Sequence, residues 1–290
     1  MAELSNISTI KELLLKNGVS LSKSLGQNFL INPSVCPRMA EQCGSEATND
    51  ASGVLEIGPG IGVLTKELAK SFKKVVAIEL DSRLPKILAQ TLAEFSNFKL
   101  IQGDVLKLDL KRILAEEFAD CSRVFICANL PYYITSPIIM AVLEQRLPVE
   151  ALTVMVQKEA AERICARVGT RACGAVTLAV HYYAEPKLLF NVSRGSFMPA
   201  PNVDSAVIRL DIRKAPPFEL KDEKMFFSLI KAGFGQRRKT LLNSLSAGTG
   251  MAKQELEKAF AACDIKGSSR AEELSLEQFA SLANFLYMGD

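Results

Sequence analysis

Histidine is almost missing from this chain of 290 residues: there is one, His181. A multi-histidine metal site is therefore excluded. A triad that needs an imidazole base has only His181 to draw on, in an apolar stretch with no motif around it. Tryptophan is absent altogether. The seven cysteines are an odd number, and no two of them form a C-x-x-C pair. That pattern speaks against a zinc site or a disulfide framework, and for free thiols in a reducing cytoplasm. Apolar residues never run for the roughly 18–20 positions of a membrane span. Met1-Ala2-Glu3-Leu4-Ser5 lacks the basic-then-apolar order of a secretory leader, so none is expected. Chemistry without a histidine base, a metal or a membrane is what these absences leave.

What is present is ordinary globular composition, 48% hydrophobic and 23% charged. The length suits one large domain with a small one, or two average domains. The net charge of +3 hides a gradient. Residues 187–239 carry 11 basic and 5 acidic side chains, whereas 240–290 carry 4 basic and 7 acidic. The basic stretch is a candidate polyanion surface, although on charge alone a solvated face is the preferred reading.

Two helical patterns open the chain, at 7–17 and at 34–43, the second started by Asn32-Pro33. Strands then alternate with helices. Strands are expected at 54–57, 74–80, 98–102, 123–128 and 151–156. Helices are expected at 63–72, 82–94, 110–117, 136–145 and 158–167. This order predicts an α/β domain with a mostly parallel sheet. Two further strands, 174–183 and 205–212, have no clear helix between them and suggest an antiparallel edge. Ala215-Pro216-Pro217 is the clearest break. Beyond it the pattern is helical: 223–234, 240–245, 253–263 and 276–286, the last with a Ser275/Gln278 capping box. The expected domains are 1–214 and 215–290.

Glu56-Ile57-Gly58-Pro59-Gly60-Ile61-Gly62 follows the first strand of the alternation and opens a helix. Glycines allow close backbone approach, and a helix N-terminus offers free N–H groups. A dinucleotide fingerprint begun at Gly58 would need glycine where Val63 stands. Glu79 ends the next strand, 21 residues after Gly58, where a carboxylate can accept both hydroxyls of a ribose. Asp104 ends the third strand, where a second carboxylate can take an exocyclic adenine amine. A nicotinamide dinucleotide explains the first acid; S-adenosylmethionine explains both. For Asp81 the preferred reading is a helix N-cap.

Asn129-Leu130-Pro131-Tyr132 ends the fourth strand at the same edge. Here the sequence resembles the N6-adenine methyltransferases, whose signature is Asn or Asp, any residue, Pro, aromatic. The adenine N6 lone pair is delocalised, so the amine is a poor nucleophile. The Asn129 carbonyl and a backbone carbonyl of the Leu130–Pro131 turn can accept the two N6–H bonds and favour the pyramidal amine. Tyr132 offers a ring for stacking a base drawn out of its helix.

Three more segments narrow the resemblance: Gly26-Gln27-Asn28-Phe29-Leu30, Phe197-Met198-Pro199-Ala200-Pro201-Asn202-Val203-Asp204-Ser205-Ala206, and Phe234-Gly235-Gln236-Arg237-Arg238-Lys239-Thr240. Together they look like the KsgA/RsmA family of small-subunit (16S) rRNA adenine N6-dimethyltransferases, from about Lys23 to the C-terminus. The resemblance implies a Rossmann-like class I methyltransferase sheet with a small all-α C-terminal domain. It also implies S-adenosyl-L-methionine as cofactor and the small ribosomal subunit as partner; a cytoplasmic monomer is expected. It assigns Asn28 and Leu30 to cover the cofactor and Gly58 and Gly60 to its loop. Glu79 goes to the ribose, and Asp104 with Val105 to the cofactor adenine. Asn129 lies between cofactor and target base, on the Leu130–Pro131 turn. Tyr132 and Phe197 sandwich the target adenine. Arg237, Arg238 and Lys239 become candidates for RNA phosphate contact. Two other readings stand beside it: the related Erm-type large-subunit rRNA methyltransferase, and an assembly or transcription factor that uses the fold to bind nucleic acid.

Overall fold

The computed structural model describes residues 4–20, 27–44, 51–236 and 238–287. Lys23, Gly26 and Arg237 of the sequence reading lie outside them. Helix α1 (Ile7–Lys16) starts at Asn6, whose side chain accepts the Ser8 N–H, and buries Ile10 and Leu14 on one face. β1 (Phe29–Leu30) and α2 (Val35–Gly44) follow. The alternation then runs β2 (Ser52–Ile57), α3 (Val63–Ser71), β3 (Lys74–Glu79), α4 (Pro85–Thr91) and β4 (Phe98–Gln102). It continues through α5 (Leu110–Glu117), β5 (Arg123–Asn129), α6 (Thr135–Glu144), β6 (Ala151–Gln157) and α7 (Lys158–Ile164).

Segment 174–183, expected as a strand, is helix α8 (Ala175–Tyr183). Its β-branched and aromatic residues read as strand, but long-range packing overrides that preference. Thr177 Oγ1 accepts the Gly174 N–H at 2.9 Å and donates to the Arg163 carbonyl at 2.6 Å. The Tyr183 ring stacks on Phe227 with centroids 5.5 Å apart, and its hydroxyl donates to Glu223 at 2.6 Å. The strand lies one step later, as β7 (Ala184–Val192), before β8 (Phe197–Met198) and β9 (Ser205–Ile212). The rest is helical: α9 (Glu223–Phe234), α10 (Leu241–Thr249), α11 (Lys253–Ala262) and α12 (Leu276–Leu286). The Ser275/Gln278 box closes reciprocally at 3.0 and 3.2 Å at the start of α12.

Seven strands form one sheet in the order β4-β3-β2-β5-β6-β9-β7. The pairs β2–β3, β3–β4, β2–β5 and β5–β6 are parallel, and β9 runs antiparallel to β6. β2 is buried along its whole length, as expected where helices cover both faces of a parallel sheet. Two adjoining buried clusters, which share Val63, Phe95 and Phe98, pack on one of those faces. One joins Leu68, Phe72, Phe125 and Met155 to Leu30 and Phe197; the other joins Ile61, Ile87 and Leu88 to Ile10 of α1. Each such fully buried large side chain stabilises the fold by roughly 1.5–3 kcal/mol relative to exposure.

Contacts divide the chain into two units, residues 1–161 with 185–212, and residues 162–184 with 213–290. Segment 162–184, which a boundary near 214 leaves in the first domain, is thus grouped with the helical tail. The lone histidine lies there, its Nε2 3.1 Å from the Ala166 carbonyl oxygen. Among the described residues no helix is long and apolar enough to cross a membrane, and no cluster of His, Cys, Asp and Glu could hold a metal.

Candidate active site

The chain winds from β2 outward to β3 and β4, then returns to place β5 on the other side of β2. At such a switch point the loops beyond the strand carboxyl ends part and leave a crevice. A cleft of about 1120 Å³, open to solvent, lies there. It is lined by Gly58 and Gly60 after β2, Glu79 at the end of β3, and Asp104 and Val105 after β4. Asn129, Leu130, Pro131 and Tyr132 line it at the end of β5. Asn28, Leu30 and Phe197 complete the wall. The twelve residues assigned in the sequence to cofactor or target base therefore line one cavity, and His181 is not among its lining residues.

One end of the cleft is set by backbone donors. Gly58 and Gly60 adopt φ of +71° and +60°, a left-handed backbone that side-chain-bearing residues rarely take. A Cβ on Gly58 would meet nothing within 4 Å, so the loop leaves room above it. Glu79 is 6% exposed. Its Oε2 accepts the Gly60 N–H at 3.2 Å and its Oε1 the Asp81 N–H at 2.8 Å. Burial raises its pKa, while these two bonds pull the other way. Asp104 accepts the Leu106 N–H at 3.0 Å.

Asp81 is not a helix cap, because α4 begins only at Pro85 after Leu84. Its carboxylate takes Nε and Nη2 of Arg83 at 2.8 and 2.6 Å and Nε2 of Gln27 at 2.8 Å. The bonds from Arg83 hold it at a pKa of about 2.

The other end is set by contacts from far along the chain. Asn129 Nδ2 donates to the Asn28 carbonyl at 3.4 Å, which turns its own Oδ1 into the group left to accept. The Pro131 carbonyl already receives the Ile134 N–H at 3.2 Å and the Thr135 hydroxyl at 3.4 Å. That leaves the Leu130 carbonyl as the second candidate acceptor of the turn. Tyr132 starts a 3₁₀ turn (Tyr132–Ile134) and is half-buried, with its hydroxyl 2.7 Å from Ser205 Oγ. Phe197 is 3% exposed and pairs with Leu30 across the two-residue β1–β8 ladder. A segment that precedes the first strand of the large sheet and the link between β7 and β9 are thereby joined at the cleft.

Two residues escaped the sequence reading. Glu56, at the end of β2, is 1% exposed, lines the cleft, and keeps Oε2 without a hydrogen-bond partner. Burial, with the neighbouring Glu79 adding to it, pushes its pKa from 4.5 up to about 8. It sits in the quoted motif, but its burial had no sequence signal. Tyr133, also on the lining, is 58% exposed.

A model of the ribosomal RNA adenine dimethylase family matches residues 18–287. A ribosomal RNA small subunit methyltransferase A from Geobacillus thermodenitrificans is 49% identical over 279 residues, 95% of this chain and 94% of the relative. Two solved structures share the fold across most of the chain. A dimethyladenosine transferase from Plasmodium falciparum is 25% identical, with a TM-score of 0.70 over 88% of this chain and 95% of its own. The 23S rRNA methyltransferase ErmE is 28% identical, with a TM-score of 0.67 over 89% of this chain and 99% of its own.

Proposed function

As the chain belongs to the ribosomal RNA adenine dimethylase family, we propose that it uses S-adenosylmethionine to dimethylate N6 of two adjacent adenosines in a hairpin of small-subunit (16S) rRNA. The observation that carries this reading is the meeting of Glu79, Asp104 and Asn129 on one cleft at the switch point. The large-subunit alternative shares the fold. The 49% identity to a small-subunit enzyme, against 28% to a 23S enzyme, favours the small subunit.

The residues present fit this cofactor. The left-handed Gly58 opens space above the loop, and two strand-end carboxylates suit a ribose and an adenine amine. A third carboxyl on the lining, Glu56, has its Oε2 free to accept a hydrogen bond from the bound molecule. Bound there, S-adenosylmethionine supplies an electrophilic methyl group on sulfur. Glu79 holds the ribose with oxygens already fixed by Gly60 and Asp81. Asp104 and Val105 hold the adenine, and Asn28 and Leu30 cover the opposite side. Asn129 Oδ1 and the Leu130 carbonyl accept the two N–H bonds of the target amine and aim its lone pair by position and charge. Tyr132 and Phe197 stack on the target base. The exposed Arg238 and Lys239, with Arg237, contact RNA phosphates.

The test is incubation with labelled S-adenosylmethionine and undermethylated small or large ribosomal subunits, followed by mapping of the modified bases. Label on two adjacent adenosines of the small-subunit RNA is expected. Label confined to the large subunit would sink the proposal.

A further inference from the structure

Stacking a base on Tyr132 needs its ring but not its hydroxyl. The hydroxyl is nevertheless held, 2.7 Å from Ser205 Oγ, by a partner 73 residues away. Ser205 has no exposed surface and opens β9, where it pairs with Gln157. The position before it is pinned as well. Lys158 N–H donates to the Asp204 carbonyl at 3.0 Å, and Arg194 N–H to Asp204 Oδ1 at 2.9 Å. A fixed strand position thus holds the tip of a ring whose backbone lies in a short 3₁₀ turn. The stretch from Phe197 to Ser205 would then supply one face of the base sandwich and tether the other.

We infer that Ser205 is a positioning residue: its hydrogen bond to Tyr132 sets the pitch of the stacking ring, and with it the angle at which the target amine meets Asn129. The inference rests on the stacking role proposed for Tyr132. A tyrosine ring swings about two side-chain torsions, and in a half-buried setting packing alone leaves it some travel. The tether removes that travel before substrate arrives. In-line transfer is sensitive to such travel, since a misplacement of about 1 Å can cost on the order of 10²-fold.

The test is turnover of undermethylated small subunits at saturating S-adenosylmethionine by Tyr132→Phe, Ser205→Ala, the double variant and Tyr132→Ala. Cofactor affinity and melting temperature are measured alongside. Each tether variant is expected to lose roughly 5–20-fold in kcat with unchanged cofactor affinity. The double variant should be no worse than the weaker single, because both remove one interaction. Tyr132→Phe leaves Ser205 in place, so a packing defect in Ser205→Ala cannot imitate this pattern. Additive losses would overturn the tether. Wild-type turnover in Tyr132→Phe and Ser205→Ala, with Tyr132→Ala inactive, would overturn the tether and leave the stacking role standing. Full activity in Tyr132→Ala would overturn both.

Discussion

At the Glu79 end of the cleft the polar groups are fixed by backbone N–H donors 2 to 19 residues away. At the Asn129 end they are fixed by partners 73 and 101 residues away, Ser205 and Asn28. The first end is a property of short turns and of one strand–helix–strand unit, and survives wherever that unit survives. The second exists only when distant segments have come together. A cofactor site needs the same shape in every catalytic cycle, which local turns secure. A site that grips one base within a large RNA depends on tertiary placement, and its side chains are more exposed to single substitutions.

The sharpest break in that contrast is Asn129→Ala. The acceptor proposed for the target amine is lost, while Glu79, Asp104 and their donors are untouched. We expect kcat to fall by about 10²–10³-fold with cofactor affinity nearly unchanged. Near wild-type turnover would remove Asn129 from the chemistry.

Glu79→Gln attacks the other end. A carboxamide has one oxygen where two backbone donors now bind, and it lacks the charge. A charge-assisted hydrogen bond is worth about 1.5–3 kcal/mol, so cofactor affinity should fall roughly 10–100-fold. Turnover at saturating cofactor should change far less, which a full kinetic analysis would reveal.

Glu56 sharpens the comparison, because it is a strand-end carboxyl whose Oε2 has no donor. In the folded chain it keeps its proton up to about pH 8, against 4.5 ordinarily. The folded state therefore binds more protons than the unfolded state between these values. The stability that this contributes is fully present below about 4.5 and is lost as pH rises towards 8. The slope is at most about 1.4 kcal/mol per pH unit. Glu56→Gln removes it, so the variant should gain on the parent from pH 5 to pH 8 in urea unfolding. Identical pH dependence would mean that Glu56 is already ionised in the fold.

The smallest effect is expected from Arg238→Ala with Lys239→Ala. Each lost phosphate contact should flatten the salt dependence of small-subunit binding by about one unit of slope and leave the cofactor end unchanged. An unaltered slope would return these residues to a solvated helix start.

The same contrast explains what could be read from the sequence. Gly58, Glu79 and Asp104 were readable because short-range geometry fixes their spacing. Asn129 to Tyr132 stand out through their resemblance to the N6-adenine methyltransferase signature, whose residue types suit an acceptor, a rigid turn and a ring. The Asn28 and Ser205 tethers were invisible, as nothing local links them to their partners. Helix α8 was misread for a related reason: Ala175–Tyr183 looks like a strand until Arg163 and Phe227 pack on it. Glu56 was in view as a residue, but its burial depends on the whole sheet.

The placement of the tyrosines makes the cleft its own spectroscopic probe. The chain has five tyrosines and no tryptophan. Tyr132 and Tyr133 line the cleft, whereas Tyr182, Tyr183 and Tyr287 belong to the helical unit. Replacing every tyrosine with its 3-fluoro form would give five fluorine resonances, two of them from the cleft lining. Cofactor alone should barely move those two, and substrate RNA should shift or broaden both. Base capture would then be visible separately from methyl transfer, with no label added to the RNA.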